Sequence, residues 1–341
     1  MNYRQEYEKW LASPALSEDE RNELKAIAND EKEIENRFYG PLEFGTAGLR
    51  GTMYVGLHNM NRHVIRWATQ GFANVIRAEG EEAMKKGVAI CMDCRNHSME
   101  FARAAACVMA GNGITVKLFE SLRPTPELSF AVREYGCEAG INVTASHNPK
   151  EYNGYKVYFS DGAQAISPHA EGIVSEVEKV EWKEVGKFLE PDMSGVKNVP
   201  AEAEADYIKS IENCVVDSET LSKHKPKVVY TSVHGTGVTM CPAVMRHFGL
   251  DPYFVEPQMK MDSRFPTVRQ PNPEYADTLA MGIQKMRETG AECLMATDPD
   301  ADRMGVAIRT RSGEIRLLTG NMIGSLLAEY RISRMIEKGL I

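Results

Sequence analysis

No apolar run in this chain approaches the ~20 residues that a membrane-spanning helix needs, which excludes a helical integral membrane protein. A basic excess is missing too. The 48 acidic and 40 basic side chains leave a net charge of −8, which argues against a nucleic-acid or membrane-surface partner. Arg4, Glu6, Glu8 and Lys9 interrupt the stretch where the apolar centre of a signal peptide would lie, so a soluble, cytoplasmic protein is expected. Cysteine is sparse and odd in number. Seven scattered residues speak against a disulfide framework and for free thiols in a reducing compartment. Several catalytic signatures are also lacking. There is no G-x-G-x-x-G, no Walker loop and no G-x-S-x-G elbow, and no second Cys-x-x-Cys accompanies Cys91 and Cys94 to complete a zinc site.

What is present is ample core material: 43% of 341 residues are hydrophobic, more than one compact core usually holds, so two or more domains are expected. Residues 1–39 are helical in pattern, with Ser17-Glu18-Asp19-Glu20 resembling a capping box. A helix is expected from Asn61 to Ala78, a strand from Gly87 to Cys91, and a helix capped by Ser98 and reaching Ala110. A strand over 114–119, a helix opened by Pro124-Thr125-Pro126 and a strand over 140–143 follow. Between about Glu176 and Ala205 the composition turns charged and rich in Gly and Pro, which marks the approach to a domain boundary. The alternation then restarts, with strands at 227–230, 253–255 and 292–296 and helices at 238–248 and 276–288. Two hairpin strands, 305–309 and 315–318, precede a helix that Thr319 caps and that runs to Lys338. The pattern is that of consecutive α/β layered domains.

Four stretches carry chemistry. In Thr144-Ala145-Ser146-His147-Asn148-Pro149, a short strand runs into turn formers, so Ser146 stands just past the carboxyl end of a strand. Adjacent side chains of an extended backbone point opposite ways, so His147 is not expected to act as a base for Ser146. In Asp298-Pro299-Asp300-Ala301-Asp302-Arg303, carboxylates at every second position either converge three hard oxygen ligands, which suits Mg²⁺, or form a solvated acidic turn. An EF-hand is ruled out because Arg303 and Arg309 stand where Gly and Glu are required. Gly45-Thr46-Ala47-Gly48-Leu49-Arg50-Gly51 is either a phosphate-gripping loop or a tight turn. Lys156, ten residues after Ser146, is either a proton-transfer group with a lowered pKa or a surface lysine on a strand. His234-Gly235-Thr236-Gly237 is a turn between strand and helix that either touches phosphate or, the favoured reading, is structural.

Taken together and in order, these stretches resemble the α-D-phosphohexomutases, the phosphoglucomutase and phosphomannomutase superfamily. The helical arm running into Phe44-Gly45-Thr46-Ala47-Gly48 looks most like the phosphoglucomutase branch that includes phosphopentomutases. The resemblance implies three-layer α/β domains with mixed sheets: residues 1–205 bearing the phosphoserine, 206–318 bearing the Mg²⁺ loop, and 319–341 the first helix of an incomplete third domain. It implies transfer of phosphate between C1 and C6 of glucose through a sugar 1,6-bisphosphate, with phosphomannomutase and phosphopentomutase activity as alternatives. It also implies that Ser146 carries the phosphoryl group, with Ser146, Asp298, Asp300 and Asp302 around Mg²⁺. Lys156 would move the hydroxyl proton, and Arg50, His147 and Arg303 would steady charge. Thr46, Gly48, Arg50, Asn153, Lys156 and Arg303 would bind substrate. Glucose 1,6-bisphosphate is the implied activator, sugar phosphates the implied partners, and a monomer the expected full-length form. Relatives carry sugar-selecting and phosphate-clamping loops in later domains, so slow phosphoryl exchange with little net isomerisation is expected of this chain. Two rivals are a metal-dependent phosphatase, which lacks an Asp nucleophile here, and a non-catalytic sugar-phosphate binder. Neutralising an aspartate of the converging cluster is expected to raise stability while lowering activity.

Overall fold

In the computed structural model, residues 2–45, 48–181 and 193–341 are described. The amino-terminal arm forms three helices, Tyr3–Ala12, Glu18–Ala26 and Glu31–Phe38, each opened by a side-chain cap from Asn2, Ser17 or Asp30. The Ser17/Glu20 pair closes a complete capping box. Tyr7, Trp10, Leu24, Ile34 and Phe38 bury their side chains and join the arm to the first core.

That core is built on a six-stranded mixed sheet. Its strands are β1 (Leu49–Thr52), β2 (Val88–Met92), β3 (Val116–Leu118), β4 (Ala139–Val143), β5 (Tyr152–Phe159) and β6 (Val196–Asn198), in the order β1-β5-β4-β2-β3-β6. β2 pairs in parallel with β3 and β4, and β5 runs antiparallel to β4 and β1. All five residues of β2 and of β4 are buried, as expected of strands covered on both faces. Their side chains alternate. Val88, Ile90 and Met92 pack in the larger core with helices Arg62–Ala78 and Ser98–Gly111, whereas Ala89 and Cys91 meet Leu128, Ala131 and Val132 of helix Thr125–Glu134. Helices on both faces of a sheet make three layers.

The second sheet is β7 (Val228–Thr231), β8 (Tyr253–Phe254), β9 (Cys293–Thr297), β10 (Met304–Arg309) and β11 (Ile315–Leu318), in the order β11-β10-β9-β7-β8. β7, β8 and β9 are parallel, and β10 and β11 extend the sheet as antiparallel hairpins. Val229, Leu294, Ala296 and Ala307 form its core with Leu279 and Met286.

Two expectations need correction. Ser98 is the first helical residue rather than the cap, because its hydroxyl donates to Asp93 Oδ1 at 2.8 Å. The helix expected from Ala276 begins at Ala280, since the Thr278 hydroxyl donates instead to the Gln270 carbonyl. The last helix, Gly320–Glu337, is capped by Thr319 as expected; it buries Ile323 and leaves Leu326, Leu327 and Ile332 exposed.

Candidate active site

Three strand ends meet at one place. β2 runs into Asp93, β4 into Thr144 and Ser146, and β9 into Asp298, so loops from both sheets converge at their carboxyl edges. Ser146 lies in the left-handed region at φ 51°, so the backbone there is not extended. That conformation brings His147 Nδ1 to 3.2 Å from Ser146 Oγ, where an extended backbone would turn the ring away, but it does not make His147 a base. The Ser146 hydroxyl donates to Asp298 Oδ2 at 2.6 Å, across 152 residues of chain. With that hydrogen engaged, a bond from His147 requires its Nδ1–H as donor. Burial, then the Arg303 and Arg50 guanidinia, depress the His147 pKa to about 4, so the ring is neutral near pH 7.

Asp298, Asp300 and Asp302 place one carboxylate oxygen each within 4.8 Å of one another. Asp298 and Asp300 are fully buried. Burial and the neighbouring carboxylates push Asp298 well above the usual range, and burial and Asp300 push Asp302 up. Asp300 behaves oppositely. Burial disfavours its charge, but Lys156 and Thr125 outweigh that and hold the group below its ordinary value. Lys156 Nζ lies 3.1 Å from Asp300 Oδ2 and 3.4 Å from Asp302 Oδ2. Burial alone would lower the Lys156 pKa, but the two carboxylates raise it above its ordinary value. The expectation of a lowered Lys156 pKa is therefore overturned, and the side chain is an ammonium.

Asp300 Oδ1 is buried with no hydrogen-bond partner among the described residues. Such an atom needs a cation or a donor, and three clustered carboxylates beside a serine hydroxyl are the hard-oxygen set that Mg²⁺ takes. The residues present fit the metal.

The remaining site residues divide. Arg50 lies on β1 opposite Gly154 of β5, and its Nη1 donates to Asn148 Oδ1 at 3.2 Å, so its guanidinium reaches the Ser146 loop. Arg303 is exposed and donates its backbone N–H to Asp298 Oδ1 at 3.1 Å. Gly48 does not present its amide to the cleft, because that N–H donates to Gly45 O at 2.9 Å. Its φ of 86°, and the Tyr155 carbonyl standing where a Cβ would collide with it, make it a close-approach glycine. Asn153 is fully buried, and its amide donates to Asn96 O and Ser98 Oγ, so it braces the start of helix Ser98–Gly111 and is removed from the cleft. Thr46 lies outside the described residues.

Several contributors carried no sequence signal. Thr125 donates both its N–H and its hydroxyl to Asp300, each at 2.8 Å, from the first turn of its helix. Asn142 donates to that hydroxyl at 2.5 Å. The turn His234–Gly237 lies behind the aspartate loop, as its reading as structural implied. Thr236 donates twice to Pro299 O, and a Cβ on Gly235 would stand 2.5 Å from the Pro299 Cα. Cys91 and Cys94 are separate buried free thiols, and Cys94 Sγ donates to His234 O.

Comparison with known proteins adds an independent line. Residues 41–184 match the family description "Phosphoglucomutase/phosphomannomutase, alpha/beta/alpha domain I", and residues 205–313 match the corresponding "alpha/beta/alpha domain II". A phosphopentomutase of Pongo abelii is 38% identical over 320 residues, covering 91% of this chain and 52% of the relative. A phosphoglucomutase of Staphylococcus aureus strain USA300 is 38% identical over 321 residues, covering 91% of this chain and 56% of the relative. A crystal structure of a Thermus thermophilus protein described as a phosphomannomutase superposes with a TM-score of 0.73 at 26% identity, covering 86% of this chain and 62% of that one. The chain thus spans about half the length of the curated relatives it matches. The two matched domains lie on the two sheets whose strand ends bring Ser146 against Asp298, and with them the chain belongs to the phosphoglucomutase/phosphomannomutase family.

Proposed function

We propose that this chain carries the phosphoryl-transfer centre of a sugar-phosphate mutase, with Ser146 as the group that takes and returns the phosphate. The observation that carries the reading is the 2.6 Å hydrogen bond from Ser146 Oγ to Asp298 Oδ2, at the edge of an acidic cluster that holds an orphaned oxygen. In the loading direction, Ser146 Oγ forms a bond to phosphorus as the bond to the sugar oxygen breaks. The Oγ proton leaves toward Asp298 Oδ2, the acceptor already at hand, and the departing sugar oxygen ends protonated. Asp298, Asp300, Asp302 and Ser146 would hold Mg²⁺, which supplies positive charge against the charge that develops on the transferring group. Lys156, as an ammonium locked to Asp300 and Asp302, orients those carboxylates and is a donor toward the sugar oxygen rather than a base. Arg50 and Arg303 rim the Ser146 loop as cations for substrate phosphate. On this reading residues 1–205 form the unit that presents Ser146, and residues 206–318 the unit that brings the aspartates.

Glucose phosphates are the proposed substrate pair, supported by the Staphylococcus phosphoglucomutase; the phosphopentomutase, equally similar, supports pentose phosphates as the alternative. The test is incubation with glucose 1,6-bisphosphate and Mg²⁺ followed by intact-mass and peptide mass spectrometry. One phosphoryl group on Ser146, absent in Ser146→Ala, is expected. Label elsewhere, or undiminished label in Ser146→Ala, rejects the assignment. Ribose 1,5-bisphosphate in a parallel arm ranks the two sugars.

A further inference from the structure

Ser146 occupies a left-handed conformation that is unfavourable for an L-residue, so something must hold it there. The Asp93/Arg95 pair, on the loop after β2, grips Ser146 from both of its peptide groups. On the amino side, Thr144 Oγ1 donates to Asp93 Oδ2 at 2.7 Å and itself accepts the Ser146 N–H at 2.8 Å. On the carboxyl side, Arg95 Nη2 donates to Ser146 O at 2.7 Å and Asn148 O at 2.5 Å. Its Nη1 donates to Pro149 O at 2.7 Å and Tyr152 O at 2.9 Å. One guanidinium thereby gathers four carbonyls of the loop that joins β4 to β5. Asp93 Oδ2 lies 3.4 Å from Arg95 Nε, and the Phe265 ring lies 5.3 Å from the Arg95 Cζ.

We propose that Arg95 is a positioning residue for Ser146, acting through the loop carbonyls to aim Oγ at Asp298. It is 3% exposed and both of its terminal nitrogens are taken up by backbone carbonyls, so it holds the nucleophile without meeting substrate. A fixed fork of donors is what the task requires. A lysine keeps the charge but has a single nitrogen, which cannot bridge four carbonyls in this arrangement. Phe265 comes from the second sheet's loops, so the same residue couples the Ser146 loop to the unit that supplies Asp298.

The inference rests on the phosphoserine reading only for its kinetic arm, and the test separates the two. Arg95→Lys and wild type are compared by hydrogen exchange of the 144–152 peptide and by the rate of Ser146 labelling from glucose 1,6-bisphosphate. Exchange in that peptide should rise roughly tenfold while β2 and β4 keep their protection. The maximal labelling rate should fall by about 10²-fold with the half-saturating concentration unchanged, the mark of misplacement rather than lost binding. Wild-type exchange in the loop of a folded Arg95→Lys overturns the inference, as does a defect confined to the half-saturating concentration. If wild type takes no label, the phosphoserine reading fails, and the exchange comparison alone decides for or against Arg95. If Arg95→Lys unfolds throughout, Phe265→Leu decides. It keeps the guanidinium and removes its ring, and should loosen the same peptide by a smaller factor; unchanged protection there overturns the inference.

Discussion

Asp298, Asp300 and Asp302 lie within one cluster, yet the Lys156 ammonium faces only two of them. Asp298 has no cationic side chain against it among the described residues and is the most penalised by burial and repulsion. In chelator-treated protein, Asp298→Asn should therefore raise stability by about 1 kcal/mol, by relieving charge that two hydrogen bonds but no cation offset. Asp300→Asn should lower it by about 3 kcal/mol, because Lys156 stays buried with only Asp302, at 3.4 Å, to answer it. Urea unfolding of the two variants measures the difference, and equal shifts would refute the division. The sequence predicted one common stabilising effect. The spacing of the aspartates was legible, but which of them faces a lysine depends on β5 folding back beside β4 and on contact between the two sheets. Titration calorimetry of both variants should show weaker Mg²⁺ binding, and affinity equal to wild type in Asp300→Asn would remove that residue from the metal set.

Helix Thr125–Glu134 links the two units, since Thr125 holds Asp300 at its amino end and Phe130 packs on Tyr207 with ring centroids 5.5 Å apart. Its first turn also carries Glu127, 2% exposed, with Oε1 lacking a hydrogen-bond partner among the described residues. Burial raises the Glu127 pKa to about 7; Arg123, 4.0 Å away, partly opposes this, but Arg123 also pairs with Glu204, whose own charge adds to the rise. An acid whose pKa is raised by folding binds its proton more tightly in the native state. Its contribution is favourable at low pH and is lost as pH climbs from the usual carboxylate range through about 7. Glu127→Gln should leave stability near pH 5 little changed and raise it near pH 8 by up to ~3 kcal/mol, flattening the profile. Parallel profiles for the two proteins would show that Glu127 does not titrate in that window. The helix itself was legible from Pro124-Thr125-Pro126, and β2 and β4 from their apolar runs. The role of Glu127 was not, because Glu204, which competes for its neighbour Arg123, comes from helix Ala203–Glu212, about eighty residues on. The same holds for Thr125 and Asn142, whose local sequence has no periodicity or motif that reports a distant acceptor, whereas Asp93 and Arg95 match the family pattern in sequence without showing what they hold.

At the scale of the whole chain, the apolar surface is unevenly distributed. Met322, Leu326, Leu327, Tyr330, Ile332 and Ile336 of helix Gly320–Glu337 are all between 42% and 59% exposed, and Ile323 is the one side chain of that helix that is buried. The helix is nevertheless docked, by polar contacts near its carboxyl end. Arg331 donates to Cys214 O, Lys338 donates to Val216 O, both at 2.6 Å, and Arg334 lies 3.8 Å from Asp217. Those bonds fix its direction without covering its apolar side chains. Six exposed apolar side chains on one helix are a surface through which copies of this chain should associate. The net charge of −8 opposes close approach and is screened by salt, so association should strengthen as ionic strength rises, as expected of an apolar contact between like-charged molecules. Sedimentation velocity over a concentration series should show weight-average mass rising with protein and with salt. Leu326→Lys with Leu327→Glu should abolish that rise, and because both side chains already face solvent, the melting temperature should shift little. A mass that stays that of the monomer in wild type, or a double variant that still associates, would place the contact elsewhere or deny it.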